Sequence, residues 1–260
     1  MSTQLEKARA FKALHSRPPE SRQPGGQLLF LPNIWDVAGA RLLEDLGFPA
    51  AATASAAVSR SLGYEDGENI PFDKLCWLLE RIAGSVGIPV TADIEAGFAA
   101  DLKDLKSNIA RVLDCGVVGI NFEDTVPRTQ QLYPIDVQVL RLRAVREAAV
   151  AYGIPMYLNA RVDVFVRLSA QSPEAQLQET LARAGAYLSA GADGIYPIGV
   201  RNEETIRALV KGIAAPVNIG YSGQDLKALE TMGVARVSMG PGFQTMTLKA
   251  MKEKAAELKP

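Results

Sequence analysis

Between residues 28 and 258, eight short apolar runs alternate with eight longer helix-like stretches, and this alternation restricts the possible folds more than any other feature of the chain. Strands are read at 28–31, 50–54, 89–94, 117–122, 155–159, 194–197, 216–219 and 235–238. The helices that follow them are read at 36–46, 71–86, 101–115, 134–152, 173–190, 202–211, 223–232 and 243–258. The helix-to-strand joints share a signature: Leu46-Gly47-Phe48-Pro49, Val86-Gly87-Ile88-Pro89, Cys115-Gly116-Val117, Tyr152-Gly153-Ile154-Pro155, Ala190-Gly191-Ala192-Asp193 and Met232-Gly233-Val234. A glycine just past a helix accepts the left-handed backbone that ends it, and a proline opening a strand needs no ladder donor. Apolar strands separated by helices imply a parallel sheet covered by helices. The regular eightfold repeat predicts an α/β fold closed as a (β/α)8 TIM-type barrel, because an open doubly wound sheet has no reason to stop at eight. No glycine-rich dinucleotide or phosphate-loop fingerprint follows any strand.

A polar helix near 3–15 and a linker at 16–26 with three prolines and two glycines precede the repeat. One domain is expected: residues 1–26 as helix and linker, 27–240 as barrel and 241–260 as a C-terminal helix. With 260 residues, 48% of them hydrophobic, the chain is ample for one large core. Lys+Arg number 28 against 29 Asp+Glu, so no positive surplus points to nucleic acid or an anionic membrane, and a small-molecule ligand is expected. Cys76 and Cys115 sit in helical patterns and read as reduced thiols. No run is long and apolar enough for a membrane span or signal core, so the expected location is the cytoplasm.

Barrel enzymes place their chemistry where strands end in the C-terminal direction. Those ends carry Asn33, Trp35 and Asp36; Thr53, Ala54 and Ser55; Asp93 and Glu95; Glu123 and Asp124; Asn159, Arg161 and Asp163; Tyr196; Asn218; and Ser238. Asp93 and Glu95, two apart on one strand, face the same side, and Glu123 ends the next strand. Acids at successive strand ends point to a hard divalent cation that prefers oxygen ligands. Arg161 either grips a substrate carboxylate or phosphonate or pairs with Glu123 or Asp163 at the rim. Asn159 and Asn218 either orient substrate oxygens or satisfy rim backbone groups, and Trp35 either packs beside the site or is a plain core aromatic. The only histidine, His15, ends the first helix and reads as a surface residue, which argues against a Ser-His-Asp hydrolase.

In order and spacing, Leu31-Pro32-Asn33-Ile34-Trp35-Asp36, Thr53-Ala54-Ser55-Ala56-Ala57-Val58, Ser61-Leu62-Gly63-Tyr64-Glu65-Asp66-Gly67, Thr91-Ala92-Asp93-Ile94-Glu95-Ala96-Gly97, Phe122-Glu123-Asp124 and Asn159-Ala160-Arg161 form one set. Over residues 31–240 this set resembles the isocitrate lyase/phosphoenolpyruvate mutase superfamily. The resemblance implies an α/β barrel, a Mg2+ ion with Mn2+ as an alternative, and 2-oxo- or 2-hydroxy-acid substrates. Their C–C or P–C bond is made or broken through an enolate-like state. It further implies that Asp93 ligates the metal directly while Glu95, Glu123 and Asp66 hold it mainly through waters. Asp66, Glu123 and Arg161 would then be catalytic, with Arg161 on a substrate carboxylate or phosphonate. The turn Ala54-Ser55-Ala56 would present N–H groups to the oxo-acid carboxylate, although relatives carry Ser and Gly here and alanine narrows the approach. A homodimer or homotetramer that exchanges the C-terminal helix is also implied; alternatively the stripe Met246, Leu248, Met251 and Leu258 closes its own barrel.

The stretch Asp124-Thr125-Val126-Pro127-Arg128-Thr129-Gln130-Gln131-Leu132-Tyr133 sorts the chemistries within this resemblance. Lyases that cleave isocitrate or methylisocitrate carry a Lys-Lys-Cys-Gly-type loop there, and this chain has no cysteine in it. Cys115 lies in the preceding helix, toward the opposite end of the barrel. The segment from Pro127 to Leu132 is similar to the Pro-Lys-Thr-Asn-Ser-Leu of the mutases, with two polar residues changed. The reading is therefore a Mg2+-dependent C–C lyase or decarboxylase of a small 2-oxo- or 2-hydroxy-dicarboxylic acid, similar to the oxaloacetate decarboxylase branch. The alternatives are phosphoenolpyruvate mutase or phosphonopyruvate hydrolase chemistry, and 2-oxo-acid binding without turnover. Tyr133, Tyr64 or a metal-bound water would supply the proton, and residues 124–133 are expected to form a mobile lid.

Overall fold

Pro32 has no N–H to give to a ladder, and the first strand divides there. Its first half, β1 (Leu29–Leu31), pairs with the last strand, β9 (Arg236–Ser238), whereas β2 (Asn33–Ile34) pairs with β3 (Ala51–Thr53). In the computed structural model, which describes residues 2–15 and 28–259, every strand pairing is parallel. The order continues from β3 through β4 (Val90–Asp93), β5 (Gly119–Glu123), β6 (Tyr157–Val162) and β7 (Gly194–Pro197). A parallel bridge from Ile195 to Val217 joins β7 to the approach of β8 (Asn218–Gly220), which pairs with β9. The ring thus returns to β1. Asn33 stitches the seam: its Nδ2 donates to the Thr53 carbonyl at 2.8 Å, and its Oδ1 accepts from the N–H groups of Met239 and Gly240 at 2.7 and 2.9 Å.

The helices are α1 (Gln4–His15), α2 (Val37–Asp45), α3 (Ser55–Ser61), α4 (Phe72–Gly84), α5 (Leu102–Asp114), α6 (Ile135–Tyr152), α7 (Val164–Arg167), α8 (Pro173–Ser189), α9 (Glu203–Gly212), α10 (Leu226–Thr231) and α11 (Gly242–Glu257). Side-chain caps start several of them: Asp36 accepts from the Gly39 N–H at 2.7 Å, Asp101 from Asp104 at 2.8 Å and Asn202 from Thr205 at 3.0 Å. In α4, Leu75, Leu78, Leu79 and Ile82 are buried at helical spacing, forming the stripe that packs on the sheet. Among the described residues no helix is long and apolar enough to cross a membrane.

Several sequence expectations change. Helices α3 and α7 follow β3 and β6 without having been foreseen, and β6 runs three residues beyond Asn159 because Arg161 and Val162 pair with Tyr196 and Pro197. Of the six glycine joints, Gly87 is not left-handed; its N–H donates to Glu44 Oε1 at 2.6 Å instead. The linker expected at 16–26 lies outside the described residues. Helix α11 does not turn its apolar stripe onto its own barrel, since Met246, Leu248, Met251 and Leu258 are all exposed. Cys76 and Cys115 are free thiols, as read, and Cys115 Sγ donates to the Cys76 carbonyl at 3.3 Å.

His15 is a correction of a different kind, because it is buried rather than on the surface. Helix α1 lies across the N-terminal mouth of the barrel, where Phe11 packs with Leu29, Ala50, Val118 and Tyr157. The His15 ring stacks on Tyr157 at 3.8 Å and meets Phe11 edge-on at 4.8 Å. Burial, with the nearby Arg236 charge, pushes its pKa down to about 3. The unfolded chain binds this proton below about 6.5 and the folded chain only near 3, so stability present above pH 6.5 is lost as pH falls through that window. His15→Phe keeps the stacking and removes the proton site. Unfolding free energies from urea titrations between pH 7 and 4 are expected to fall less steeply in His15→Phe than in wild type, by up to about 1.4 kcal/mol per pH unit. Equal slopes would show that His15 is not held neutral.

Candidate active site

The C-terminal ends of β4, β5 and β6 bring four of the expected residues together. Arg161 lies opposite Glu123 in the β5–β6 register, and its Nη1 meets Glu123 Oε2 at 2.7 Å. The same nitrogen is 3.8 Å from Asp93 Oδ2. On its other edge Arg161 makes a fork with Asp163, Nε to Oδ1 at 2.7 Å and Nη2 to Oδ2 at 2.9 Å. Of the two readings open for Arg161, the rim ion pair is therefore present. Asp163, fully buried, also accepts from Thr125 Oγ1 at 2.8 Å, and its N–H donates to Asp124 Oδ1 at 2.9 Å. Asp124 is held in turn by Tyr187 at 2.7 Å and by Arg183 at 3.1 Å, so it belongs to the scaffold behind the site.

Glu95 points toward the loop after α3. Its Oε2 accepts the N–H groups of Gly67 and Glu68, each at 2.7 Å, which brings Asp66 to the same rim. The backbone of Glu95 has φ of +52° and its N–H donates to Asp93 Oδ1 at 3.1 Å. Burial, with repulsion from Asp66 and Asp93, pushes the Glu95 carboxyl up to about 8. Asp93 is raised by burial, with Arg161 opposing and Asp66 adding repulsion. Burial also drives Glu123 upward against the pull of Arg161, while Glu123, Asp163 and Asp93 together keep Arg161 cationic despite its burial.

Four acids and one guanidinium already shared by two of its neighbours leave the rim with surplus negative charge. The donor set is all oxygen, which suits a hard divalent cation. Among the described residues no three His, Cys, Asp or Glu side chains converge into a ready-made metal cage.

The remaining expected residues lie in the turns after β2 and β3 and on β6 and β8. Ala54 precedes α3, and its carbonyl accepts from the N–H groups of Ala57 and Val58 at 3.1 and 2.9 Å. Ser55 and Ala56 therefore form the first turn of that helix, where backbone N–H groups have no intrahelical partner. Trp35 is half-buried against the core beside Asp36. Asn159 sits one inward position below Arg161 and donates to Asn121 Oδ1 at 2.8 Å; Asn218 donates to Ser238 Oγ at 3.1 Å. Both asparagines are thus engaged with side chains inside the barrel rather than with rim backbone.

Residues 124–133, expected as a lid, form a small hairpin: Thr125 bridges Leu132, Val126 N–H donates to Gln131 O at 2.8 Å, and Tyr133 N–H to Asp124 O at 2.8 Å. Tyr64, one of the expected proton donors, accepts from Lys74 Nζ at 2.6 Å.

Of two further interior residues, Tyr196 was read as a strand-end residue without a role and Arg236 was missed. Tyr196 is inward-facing, and burial holds its phenol protonated, raising it to about 12, with Arg161 and Asp93 nearby. Arg236 is fully buried; its Nε donates to Ser238 Oγ at 3.1 Å and burial lowers it to about 10. Inward parity along β9 was the available signal for Arg236, but an arginine inside an apolar strand reads from sequence as an edge residue.

Comparison with known proteins accords with this geometry. A family profile described as phosphoenolpyruvate phosphomutase matches residues 11–259. A solved structure from Burkholderia cenocepacia J2315, provisionally assigned as a phosphonomutase, is 38% identical with a TM-score of 0.88, over 98% of this chain and 100% of that one. An oxaloacetate decarboxylase of Marinomonas sp. is 25% identical over 86% of this chain and 78% of its own length. A phosphonopyruvate hydrolase solved with oxalate and Mg2+ shares the fold at 21% identity and a TM-score of 0.82, over 97% of this chain and 86% of that one. With a profile match across nearly all of the barrel, the chain belongs to the phosphoenolpyruvate phosphomutase family.

Proposed function

We propose that the protein is a Mg2+-dependent carbon–carbon lyase or decarboxylase acting on a small 2-oxo- or 2-hydroxy-dicarboxylic acid. The observation that carries this reading is the surplus of carboxylates at the rim: burial and the neighbouring Asp66 and Asp93 drive Glu95 upward, while Arg161 is already engaged by Glu123 and Asp163. Asp93 would hold the ion directly, with Glu95, Glu123 and Asp66 holding it through waters. When bound, Mg2+ supplies positive charge to the 2-oxo oxygen, on which electrons accumulate as the bond breaks.

The chain's own groups do the rest. The first-turn N–H groups at Ser55 and Ala56 orient the oxo-acid carboxylate, and Arg161 adds a fixed positive charge beside it. Tyr196, kept as a phenol, holds a proton on its hydroxyl at the inner wall. The 124–133 hairpin excludes water, so that protonation occurs in place. The absence of a cysteine from that hairpin favours a reaction that needs no thiol acid.

Assays of the purified protein with oxaloacetate and substituted malates test this reading. Turnover is expected to stop with EDTA and to return with added Mg2+; turnover indifferent to EDTA sinks the metal mechanism. A second reading, P–C bond chemistry, is favoured by the segment Pro127-Arg128-Thr129-Gln130-Gln131-Leu132 and by the 38% identical relative. Phosphorus NMR with phosphonopyruvate decides between them, since an unchanged spectrum at high enzyme concentration removes the second.

A further inference from the structure

The turn that follows β4 is held in a conformation that its residues do not favour. Glu95, Gly97 and Phe98 take φ of +52°, +94° and +55°, and two of the three carry a side chain. Such a backbone persists only where its surroundings over-determine it. On the N–H side, Glu68 Oε1 accepts from Phe98 at 2.7 Å. On the carbonyl side, Arg141 of α6 donates from Nη2 to Ala96 O at 2.6 Å, and both its terminal nitrogens reach Ala99 O at 3.3 Å. Asn108 of α5 donates to the Gly97 and Phe98 carbonyls at 3.0 and 2.9 Å.

Arg141 differs from the other two clamps in what else it touches. Its buried guanidinium lies over the Tyr133 ring at 4.8 Å and over the Phe122 ring at 5.7 Å. Tyr133 closes the 124–133 hairpin through its N–H to Asp124. Phe122 precedes Glu123, and its ring edge stands 2.9 Å from where a Cβ on Gly97 would be. One cation therefore touches the β4 turn, the end of β5 and the root of the hairpin beside the site.

We propose that Arg141 is a positioning residue that couples the seating of the 124–133 hairpin to the geometry of the β4 turn, and through it to Asp93 and Glu95. Docking of the Tyr133 ring on the guanidinium face fixes where the guanidinium points. Its N–H groups in turn fix the Ala96 and Ala99 carbonyls. When the ring leaves, the arginine gains freedom and the turn loses its hold on the Ala96 and Ala99 carbonyls, keeping only that of Asn108 on Gly97 and Phe98. The functional significance rests on the reading of these strand ends as the active site, but the coupling itself requires no metal or substrate.

Hydrogen exchange at residues 96–99 in the ligand-free protein tests it, with wild type, Tyr133→Leu, Arg141→Met and the double variant compared. Tyr133→Leu is expected to speed exchange at these amides about tenfold, in keeping with the loss of a partly desolvated cation–π contact. Added to Arg141→Met, it is expected to change exchange by less than about twofold, because the coupling element is already gone. A purely structural arginine would instead give the same acceleration from Tyr133→Leu in both backgrounds. That result overturns the proposal, and so does an unchanged rate for Tyr133→Leu in the wild type. If Arg141→Met does not melt cooperatively, Arg141→Lys replaces it, with partial loss of coupling expected and undiminished coupling overturning the proposal. A protein that shows the coupling yet fails every lyase assay refutes the proposed reaction and leaves this inference standing.

Discussion

Asp93→Asn is expected to lower kcat/KM by about three orders of magnitude or more, a loss of roughly 4 kcal/mol of transition-state stabilisation, while leaving the fold intact. The amide keeps the shape of the carboxylate and an oxygen that accepts the Glu95 N–H, held at 3.1 Å in the native site. It removes the charge. In the native protein the cost of burying that charge, with repulsion from Asp66, outweighs the pull of Arg161 at 3.8 Å, so the melting temperature should hold or rise slightly. Loss of rate without loss of stability separates a working carboxylate from a structural one. The measurement is steady-state turnover across a Mg2+ titration, paired with calorimetric titration of the metal. A variant that retains a tenth of wild-type kcat/KM, or binds Mg2+ unchanged, would remove Asp93 from the centre of the chemistry.

The largest effect on stability is expected at Asp163. Asp163→Ala leaves Arg161 Nε and Nη2 and the Thr125 hydroxyl without the acceptor they share, all within a buried layer. Breaking a buried pair by removing one partner costs about 3–5 kcal/mol, because the remaining charge is stranded. For a domain of this size that corresponds to a fall of roughly 10 °C in Tm. Asp163→Asn keeps one acceptor oxygen and should cost about half as much. Thermal melts of both variants check the order; an Asp163→Ala protein as stable as wild type would show that Glu123 alone satisfies Arg161. Activity should fall in both variants, since Arg161 then has no fork to hold its plane against Glu123 and Asp93.

The candidate site was legible to the extent that it depends on strand parity and strand order. Asp93 and Glu95 are two residues apart at a strand end, and Glu123 and Arg161 end the next two strands, so a parallel barrel must bring them to one rim. Their partners were not legible in the same way. Nothing in the spacing says that Glu95 turns aside to cap Gly67 and Glu68, because that depends on a left-handed backbone at a non-glycine residue. That Arg161 forks with Asp163 while its Nη1 pairs with Glu123 is likewise a matter of distances that the spacing does not report. His15 was misread because its helix was taken as external, whereas α1 inserts Phe11 and His15 at the barrel mouth, where Gly119 leaves room for the Phe11 ring.

Local chemistry sufficed to dictate the alternation of strands and helices: glycines that end helices, prolines that open strands and acids that cap the next helix act within a few residues of themselves. Those rules act through backbone conformation and need no knowledge of neighbours, so a reader of the chain alone could count eight units and place the rim. Tertiary structure decided how the ring is sealed at Pro32 and Asn33, which acid binds which donor, and how Arg141 ties one site loop to the next. Those outcomes turn on contacts between residues distant in the chain, such as Asn33 with Met239 and Arg141 with Ala96. Arg161 pairs with Glu123 at 2.7 Å but stands 3.8 Å from Asp93, and only the packed barrel sets such differences.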